Sequence, residues 1–487
     1  MKRTAFLAGN KLFRWIAIFV LLGTTVSILK AAPSTRPTYG GILRVEMIEH
    51  LMTIDPRRWP SGPMQAAATE RMDSLVFDHL VRFDDHGMPQ PALAVSWQHD
   101  AQSKRWQFLL RKSVKFSDGA PLTPEAAALA LQQLLGNAFE VSATSDSVVI
   151  LADHPLPDFP TMLALGRYFI FRTTDDGSLV GTGPFRVAEW PSGGTPTKLI
   201  LTANESCWAG RPFVDKIELT MGVDPQQQAN AIAFGQADVV ELPASQVRRT
   251  AQRGVRTVSS DPVELFALQF DLARSGVQDV RTRQAISLAI DRASIADVIL
   301  QRQGVAAGSL LPNWISGYAH LFPISTDLAR AKQLLAATRR EVSRPAPLVL
   351  VYDSEDMEAR AVADRVAVNL KEVGITVQVL AQPATGKGAP AEMRLARHRL
   401  ASPDSGIALA ELLASLGESP ASLETLEQAY AAERAPIDAF RVIPLVHVSE
   451  SYGLSPQVRD WMAPRWGGWR LEDVWLGPAQ APAGAPQ

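Results

Sequence analysis

The feature that most constrains the fold of this chain is a strand–helix–strand unit between residues 348 and 380. Leu348 to Tyr352 is a short apolar run that predicts a strand, and Ala359 to Val373 predicts a helix. Gly374 follows at the position where a left-handed residue ends a helix, and Ile375 to Leu380 predicts the next strand. Strands joined through a crossover helix pair in parallel, so the unit predicts an α/β fold.

The chain has 487 residues, which is long enough for two or more bodies with separate cores. Gly41 to Met47 alternates apolar and polar residues and predicts a strand near the start. Pro124 to Leu135 predicts a helix whose start is marked by Thr123. We expect a second body to begin near Leu265, and Arg281 to Gln301 carries apolar residues at helical spacing.

The N-terminus predicts export. Basic residues precede an uncharged run from Trp15 to Leu29. As a helix this run would reach only about 22 Å, short of the roughly 30 Å of a bilayer core. We therefore expect a signal peptide over residues 1–32 and a periplasmic location, with an uncleaved N-terminal membrane anchor as the alternative. The one cysteine, Cys207, allows no intrachain disulfide and does not follow the signal, where a lipid would attach.

Charge and motif content argue against several other classes of protein. The net charge of −2 gives no electrostatic footprint for nucleic acid. The eight histidines form no metal-binding motif, so we expect no cofactor and no metal site built by the protein. A single histidine that joins a chelated metal in a cleft stays possible. The sequence contains neither a G-x-S-x-G elbow nor a P-loop, and we expect no enzymatic activity.

Seven sequence blocks, in order, resemble the family 5 extracytoplasmic solute-binding proteins, which include the oligopeptide, dipeptide and nickel receptors of ABC importers. The blocks are GGILRV from Gly40, the stretch Leu80 to Trp97, WQFLLRKSVKFSDG from Trp106, GTGPF from Gly181, NESCWAGRP from Asn204, GQADVV from Gly235 and DVRTRQAISLAIDR from Asp279. The segment that ends in Trp475 resembles the family's C-terminal return. The resemblance covers about residues 40 to 380 and 440 to 476.

The resemblance implies an α/β, two-lobe periplasmic-binding-protein clamshell of the type II-like kind, which buries its ligand in a cleft on closing. The first lobe would be discontinuous and would carry the family's extra subdomain. The expected boundaries are 38–53, 179–262 and 454–476 for lobe I, 54–178 for its extra subdomain, 263–453 for a shortened lobe II and 477–487 for a disordered tail.

In peptide-binding relatives, an aspartate of the second lobe pairs with the α-ammonium group of the ligand. Asp404 is the best positional match, although the family's preceding Gly-Trp pair is absent, and capping of the following helix is the alternative role. Arg394, Arg397, His398 and Arg399 lie close by. If they face the cleft they would favour an anionic ligand, and surface charges are the alternative. The candidate ligand-binding residues are therefore Asp404, Arg399 and His398.

The resemblance implies a periplasmic receptor that captures peptides or similar small solutes and delivers them to an ABC permease in the inner membrane. We expect a monomer, with no nucleic-acid partner. The alternative is a ligand-binding sensor or periplasmic chaperone derived from this family, because the segment around Asp404 departs from the family pattern. A hydrolase has no support in the sequence.

Overall fold

The computed structural model of the protein describes residues 36–478, apart from residues 52, 61, 85, 191–196, 339–345, 384–389, 401, 420–422, 424 and 467. The predicted signal peptide and most of the predicted disordered tail lie outside the described residues. Within the described part of the chain, none of the helices combines the length and apolar character that crossing a bilayer requires.

The described residues form α-helices and β-strands with the following bounds. The helices are α1 Pro63–Val76, α2 Pro124–Leu135, α3 Phe159–Leu163, α4 Pro225–Ala233, α5 Ala244–Gln252, α6 Ser275–Gln278, α7 Val280–Ala289, α8 Arg292–Ser294, α9 Asn313–Ser316, α10 Leu328–Thr338, α11 Met357–Glu372, α12 Ser405–Ser415 and α13 Leu426–Asp438. The strands are β1 Ile42–Glu46, β2 Val81–Phe83, β3 Pro89–Pro91, β4 Ala94–His99, β5 Arg105–Leu110, β6 Phe139–Ala143, β7 Ser147–Ala152, β8 Arg172–Thr173, β9 Leu179–Val180, β10 Phe185–Glu189, β11 Thr197–Ala203, β12 Lys216–Met221, β13 Val239–Glu241, β14 Arg256–Phe270, β15 Gly304–Ala306, β16 Leu348–Asp353, β17 Val377–Gln382, β18 Met393–Arg399, β19 Val442–Leu454, β20 Val458–Arg459 and β21 Trp475–Leu476.

The predicted strand–helix–strand unit is confirmed. β16 and β17 pair in parallel, with Leu348 opposite Val377, and α11 connects them. Asp356 caps α11 by accepting a hydrogen bond from the backbone N–H of Ala359, which explains why the helix begins two residues earlier than predicted. Gly374 follows the helix with a φ of +82°, the left-handed conformation that glycine adopts without strain.

The largest sheet follows the order β10-β11-β12-β1-β13-β19-β14-β18-β16-β17, with β15 paired to β19. Its two long central strands, β14 and β19, pair antiparallel with each other. Their register shifts around Pro262, where proline has no N–H to donate to the ladder. The cores that pack along this sheet include one around Leu43 and Leu219 and another around Leu268 and Leu350. The predicted lobe boundaries stay a prediction.

A separate antiparallel sheet, β4-β5-β7-β6, carries its own core of aromatic and aliphatic side chains. Phe108 and Phe116 are fully buried in this core, and Leu131 of α2 packs against them. Thr123 accepts a hydrogen bond from the N–H of Ala126, so the predicted start of α2 is confirmed. Each buried aromatic side chain of this kind stabilises the fold through about 25 cal/mol per Å² of apolar area.

Two of the sequence blocks meet at one partly buried carboxylate, that of Asp78. It accepts hydrogen bonds from the hydroxyl of Thr182 at 2.7 Å and from the indole N–H of Trp208 at 2.8 Å. Burial raises the pKa of Asp78, and these two donors act against that rise. Gly181 packs so closely that a Cβ added there would lie 2.0 Å from the carbonyl oxygen of Val76. GTGPF and NESCWAGRP therefore secure chain packing.

Candidate ligand-binding cleft

A cavity of about 220 Å³ lies between two groups of elements. α1 and the turn at residues 165–167 form one wall, while β18 and α12 form the other. The charged and aromatic residues of the walls are Trp59, Glu70, Arg167, His398, Arg399 and Glu411. An ion pair of 3.2 Å between Arg167 and Glu411 joins the two walls. Among the described residues, no group of three or more His, Cys, Asp or Glu side chains is placed to hold a metal ion.

Glu450, on β19, joins two arginines that come from the two walls. Its carboxylate lies 2.7 Å from Arg71 of α1 and 2.8 Å from Arg399 of β18. Arg71 also contacts Glu241 at 2.5 Å, and Arg399 lies 3.6 Å from Glu70. The five side chains form a continuous row of alternating charge behind the cavity. Each arginine is 6% exposed, so this row is buried.

Burial alone would raise the pKa of the Glu450 carboxyl group. The charges of Arg399 and Arg71, and the hydrogen bonds that they donate, outweigh burial and hold the pKa at about 2. Tyr452 donates a further hydrogen bond to the same carboxylate at 3.0 Å. Glu450 is therefore ionised at neutral pH and holds the two arginine side chains in place.

A second buried ion cluster surrounds Arg397. Its guanidinium contacts Glu264 at 2.5 Å, Glu358 at 3.0 Å and Asp356 at 3.3 Å. Glu358 also accepts a hydrogen bond of 2.5 Å from the backbone N–H of Ala244, at the start of α5. Burial raises the pKa of Glu264 even beside this guanidinium. The positive charge of Arg397 is thus balanced by these three neighbouring carboxylates.

The imidazole of His398 is buried in the cavity wall. Its Nδ1 lies 3.0 Å from the hydroxyl oxygen of Ser415, and that hydroxyl donates its hydrogen to the Leu412 carbonyl at 2.7 Å. Its Nε2 has no hydrogen-bond partner among the described residues. Burial lowers the pKa of His398 to about 4, so the ring is neutral at pH 7.

Asp404 lies at the N-terminus of α12. Its carboxylate accepts a hydrogen bond of 2.9 Å from the backbone N–H of Ile407, and its side chain is not among those that line the cavity. The arrangement is a helix cap, which satisfies one of the unpaired N–H groups of the first turn.

Comparison with known proteins decides the family. Residues 88–432 match the profile described as "Bacterial extracellular solute-binding proteins, family 5 Middle". The chain belongs to this family. Family 5 proteins are transport binding proteins of the periplasm or extracellular space, and their fold is the two-lobed α/β fold described above.

Several family 5 relatives resemble the chain over most of its length. The nickel-binding periplasmic protein of Escherichia coli K12 is 27% identical over 353 residues, which span 63% of this chain and 66% of that protein, just under two thirds. The oligopeptide-binding protein OppA of Salmonella typhimurium is 20% identical over 379 residues, 68% of each chain. Among solved structures, NikA of Brucella suis with Fe(III)-EDTA has a TM-score of 0.78 at 19% identity, covering 90% of this chain and all of that one.

The family 5 cleft of this chain brings together two of the three predicted ligand-binding residues. His398 and Arg399 both line the cavity, and Asp404 does not. Ligand contact by each of the three stays a prediction. The description of the arginines as surface charges is confirmed for Arg394, which is exposed, and is wrong for Arg397 and Arg399, which are buried against carboxylates.

We expect an Asp404→Ala substitution to lower the free energy of unfolding by about 1 kcal/mol, the usual effect of losing an N-cap. Ligand affinity should stay unchanged, because the carboxylate is used by α12. Urea unfolding and calorimetric titration of the same sample would measure both quantities. Asp404→Asn is the matched control, since asparagine also caps helices. A loss of affinity without a loss of stability would instead make Asp404 a ligand contact.

Sequence reasoning missed most of the cleft, including Glu70, Arg71 and Glu450. These residues lie far apart along the chain, so no local motif joins them. One signal was present: Glu450 interrupts an otherwise uncharged run from Ile443 to Leu454. A carboxylate in a strand this apolar indicates a buried ion pair, because an unpaired buried charge is strongly destabilising.

Proposed function

We propose that this protein is a periplasmic receptor that captures a small solute and delivers it to an ABC permease of the inner membrane. The observation that carries the proposal is a cavity whose two walls belong to different cores. α1 packs into the core that contains Leu43, and β18 packs into the one that contains Leu268. The two halves of the sheet share the long strands β14 and β19, whose register is irregular between Ser259 and Glu264. Such a connection suits lobes that open and close around a ligand.

The proposal also covers where the protein works and what it does to its ligand. Residues 1–32 would act as an export signal, and the mature protein would work as a monomer. It would bind its ligand without transforming it. His398 and Arg399 are proposed as ligand contacts because both line the cavity.

We expect the cognate solute to raise the melting temperature by several degrees, because a ligand at 100 times its Kd stabilises the folded state by about 2.7 kcal/mol. It should also reduce the radius of gyration in X-ray scattering, since closing brings the lobes together. Mass spectrometry of small molecules that co-purify with the protein gives the first candidates, followed by panels of amino acids, short peptides and metal chelates. If every panel left both quantities unchanged, the receptor proposal would fail.

The alternative, a sensor or chaperone derived from the family, is favoured by one observation. The cleft is already joined by ion pairs of the protein itself, Arg167 with Glu411 and Arg399 with Glu450. Reconstitution with a permease and ATPase encoded beside its gene would separate the roles. Ligand-dependent ATP hydrolysis in that system supports transport, and binding without such stimulation supports sensing.

A further inference from the structure

Two ionic contacts join the walls of the cavity at different depths. At the back, Glu450 joins Arg71 to Arg399, and these three side chains are only 6–7% exposed. Nearer to solvent, Arg167 pairs with Glu411 at 3.2 Å, and their side chains are 42% and 33% exposed. Both residues of this outer pair line the cavity themselves. The cavity therefore lies between a buried ionic bridge and a partly solvated one.

The outer pair joins two parts of the fold that have separate cores. Arg167 lies three residues after Ala164, which packs in the core of the antiparallel sheet β4-β5-β7-β6. Glu411 lies on α12, whose Leu412 packs in a different core together with Leu265 of β14. A movement that separates these two cores across the cavity must lengthen the contact between Arg167 and Glu411.

The same two parts also touch through the backbone of Gly87, in the turn between β2 and β3. Val81 of β2 packs in the core of the antiparallel sheet, and Pro403 lies just before α12. A Cβ added to Gly87 would lie 2.6 Å from the Cβ of Pro403, so the turn rests directly against the proline ring. The outer pair is thus accompanied by an apolar contact that salt does not screen.

The inner bridge is placed where it can persist when the lobes move. Glu450 lies on β19 two residues after Val448, which packs in the core around Leu268, and two residues before Tyr452, which packs in the core around Leu43. It therefore lies where the chain passes from one core to the other, beside the irregular stretch of β14. Displacement in a hinge motion grows with distance from the pivot. Opening should therefore lengthen the outer pair more than the contacts of Glu450.

We propose that Arg167 and Glu411 form a clasp that favours the closed form of the cleft before a ligand binds, with a strength that depends on ionic strength. The inference rests on the proposed receptor function and names a regulation of the same cleft. Ligand-free molecules exchange between an open and a closed form, and a solute enters the open form and shifts the remaining open molecules to the closed one. Salt screens a partly exposed pair, so high salt releases the clasp and low salt slows entry.

The clasp can be measured without a ligand. Gln102→Cys in the β4–β5 turn and Ala414→Cys on α12 place spin labels at exposed positions on the two sides of the cavity, and Cys207→Ser removes the native thiol. Double electron–electron resonance then measures the distance between the labels. We expect two distances in the ligand-free protein at low salt. The ratio of open to closed molecules should rise about two- to fivefold in about 1 M sodium chloride, the usual effect of losing a partly exposed ion pair.

Substitutions in the pair should reproduce the effect of salt. Glu411→Gln should raise the open-to-closed ratio by about two- to fivefold at low salt and remove most of the salt response. Arg167→Glu should raise the ratio further, because it places two carboxylates opposite each other. Combining Arg167→Glu with Glu411→Arg should restore the closed form. Asp438→Asn is the matched control, since it breaks an ion pair with Arg434 on α13 away from the cavity lining, and it should leave the ratio unchanged.

Two results would overturn the clasp. One is an open-to-closed ratio that responds neither to salt nor to Glu411→Gln and Arg167→Glu. The other is a ligand-free protein that shows only the open distance at every salt concentration. Both results would leave the receptor function standing, because that function is tested with ligands. A salt-dependent clasp in a protein that no ligand panel affects would instead remove the receptor function and leave the clasp.

Discussion

Replacing Glu450 with glutamine is expected to destabilise the protein by about 3–5 kcal/mol, the usual effect of removing one partner from a buried ion pair. Glutamine keeps the shape of the side chain but removes the charge that Arg71 and Arg399 share at 2.7 and 2.8 Å. Arg399 would stay buried with only Glu70, 3.6 Å away, as a charged partner, while Arg71 would keep its contact with Glu241. The midpoint of urea unfolding measures the loss.

The matched control is an ion pair of similar length on the surface. Arg434 and Asp438 lie 2.7 Å apart on α13 and are 54% and 60% exposed. Asp438→Asn should change stability by less than about 0.5 kcal/mol, because exposed pairs are solvated and screened. If Glu450→Gln and Asp438→Asn had the same small effect, the row of charges behind the cavity would not hold the two walls.

Glu450→Gln also separates stability from binding. The carboxylate contacts Arg399 but is not among the residues that line the cavity. A variant that remains folded should therefore bind its ligand more weakly only through the loosened position of Arg399. Glu411→Gln, in the wall itself, removes the carboxylate that pairs with Arg167 while keeping the side-chain shape.

The fold could be predicted because its signals are local. Gly374 marks the end of α11 by its own backbone conformation, and Thr123 marks the start of α2 by its own side chain. Gly181 and Trp208 both pack against the segment that contains Asp78, and this packing requires their residue types. The blocks that contain them can therefore be recognised in the sequence.

The cleft could be predicted only in part because its contacts are not local. Arg71 and Glu450 are 379 positions apart in the numbering and meet only when β19 and α1 are in place. From the sequence of a basic cluster such as Arg397 to Arg399, one cannot tell whether carboxylates lie opposite it in the fold. The pairing of β18 with β14 places Glu264 opposite Arg399 and beside Arg397, and sequence alone does not give this register.

Acidification is expected to remove about 3 kcal/mol of stability that a single histidine, His447, provides at neutral pH. Its imidazole is 5% exposed, and Nε2–H donates to the carbonyl of Leu310 at 3.0 Å. Burial lowers the pKa of His447 from 6.5 to about 4, although the hydrogen bond to Leu310 acts against this shift. Between pH 6.5 and about pH 4, the imidazole of His447 is protonated in the unfolded chain and neutral in the folded protein. The contribution is therefore complete above pH 6.5 and is lost as the pH falls towards 4.

Other groups titrate in the same range, so the measurement is a difference between two proteins. His447→Gln keeps a donor for the carbonyl of Leu310 but does not titrate, and its stability should gain on that of the native protein steadily between about pH 6.5 and pH 4.5. Leu445→Val, at a fully buried neighbouring position, should cost about 1 kcal/mol at every pH. Urea unfolding at several pH values follows all three proteins. A gap between native protein and His447→Gln that did not change with pH would show that the ring takes up its proton as easily in the folded protein as in the unfolded chain.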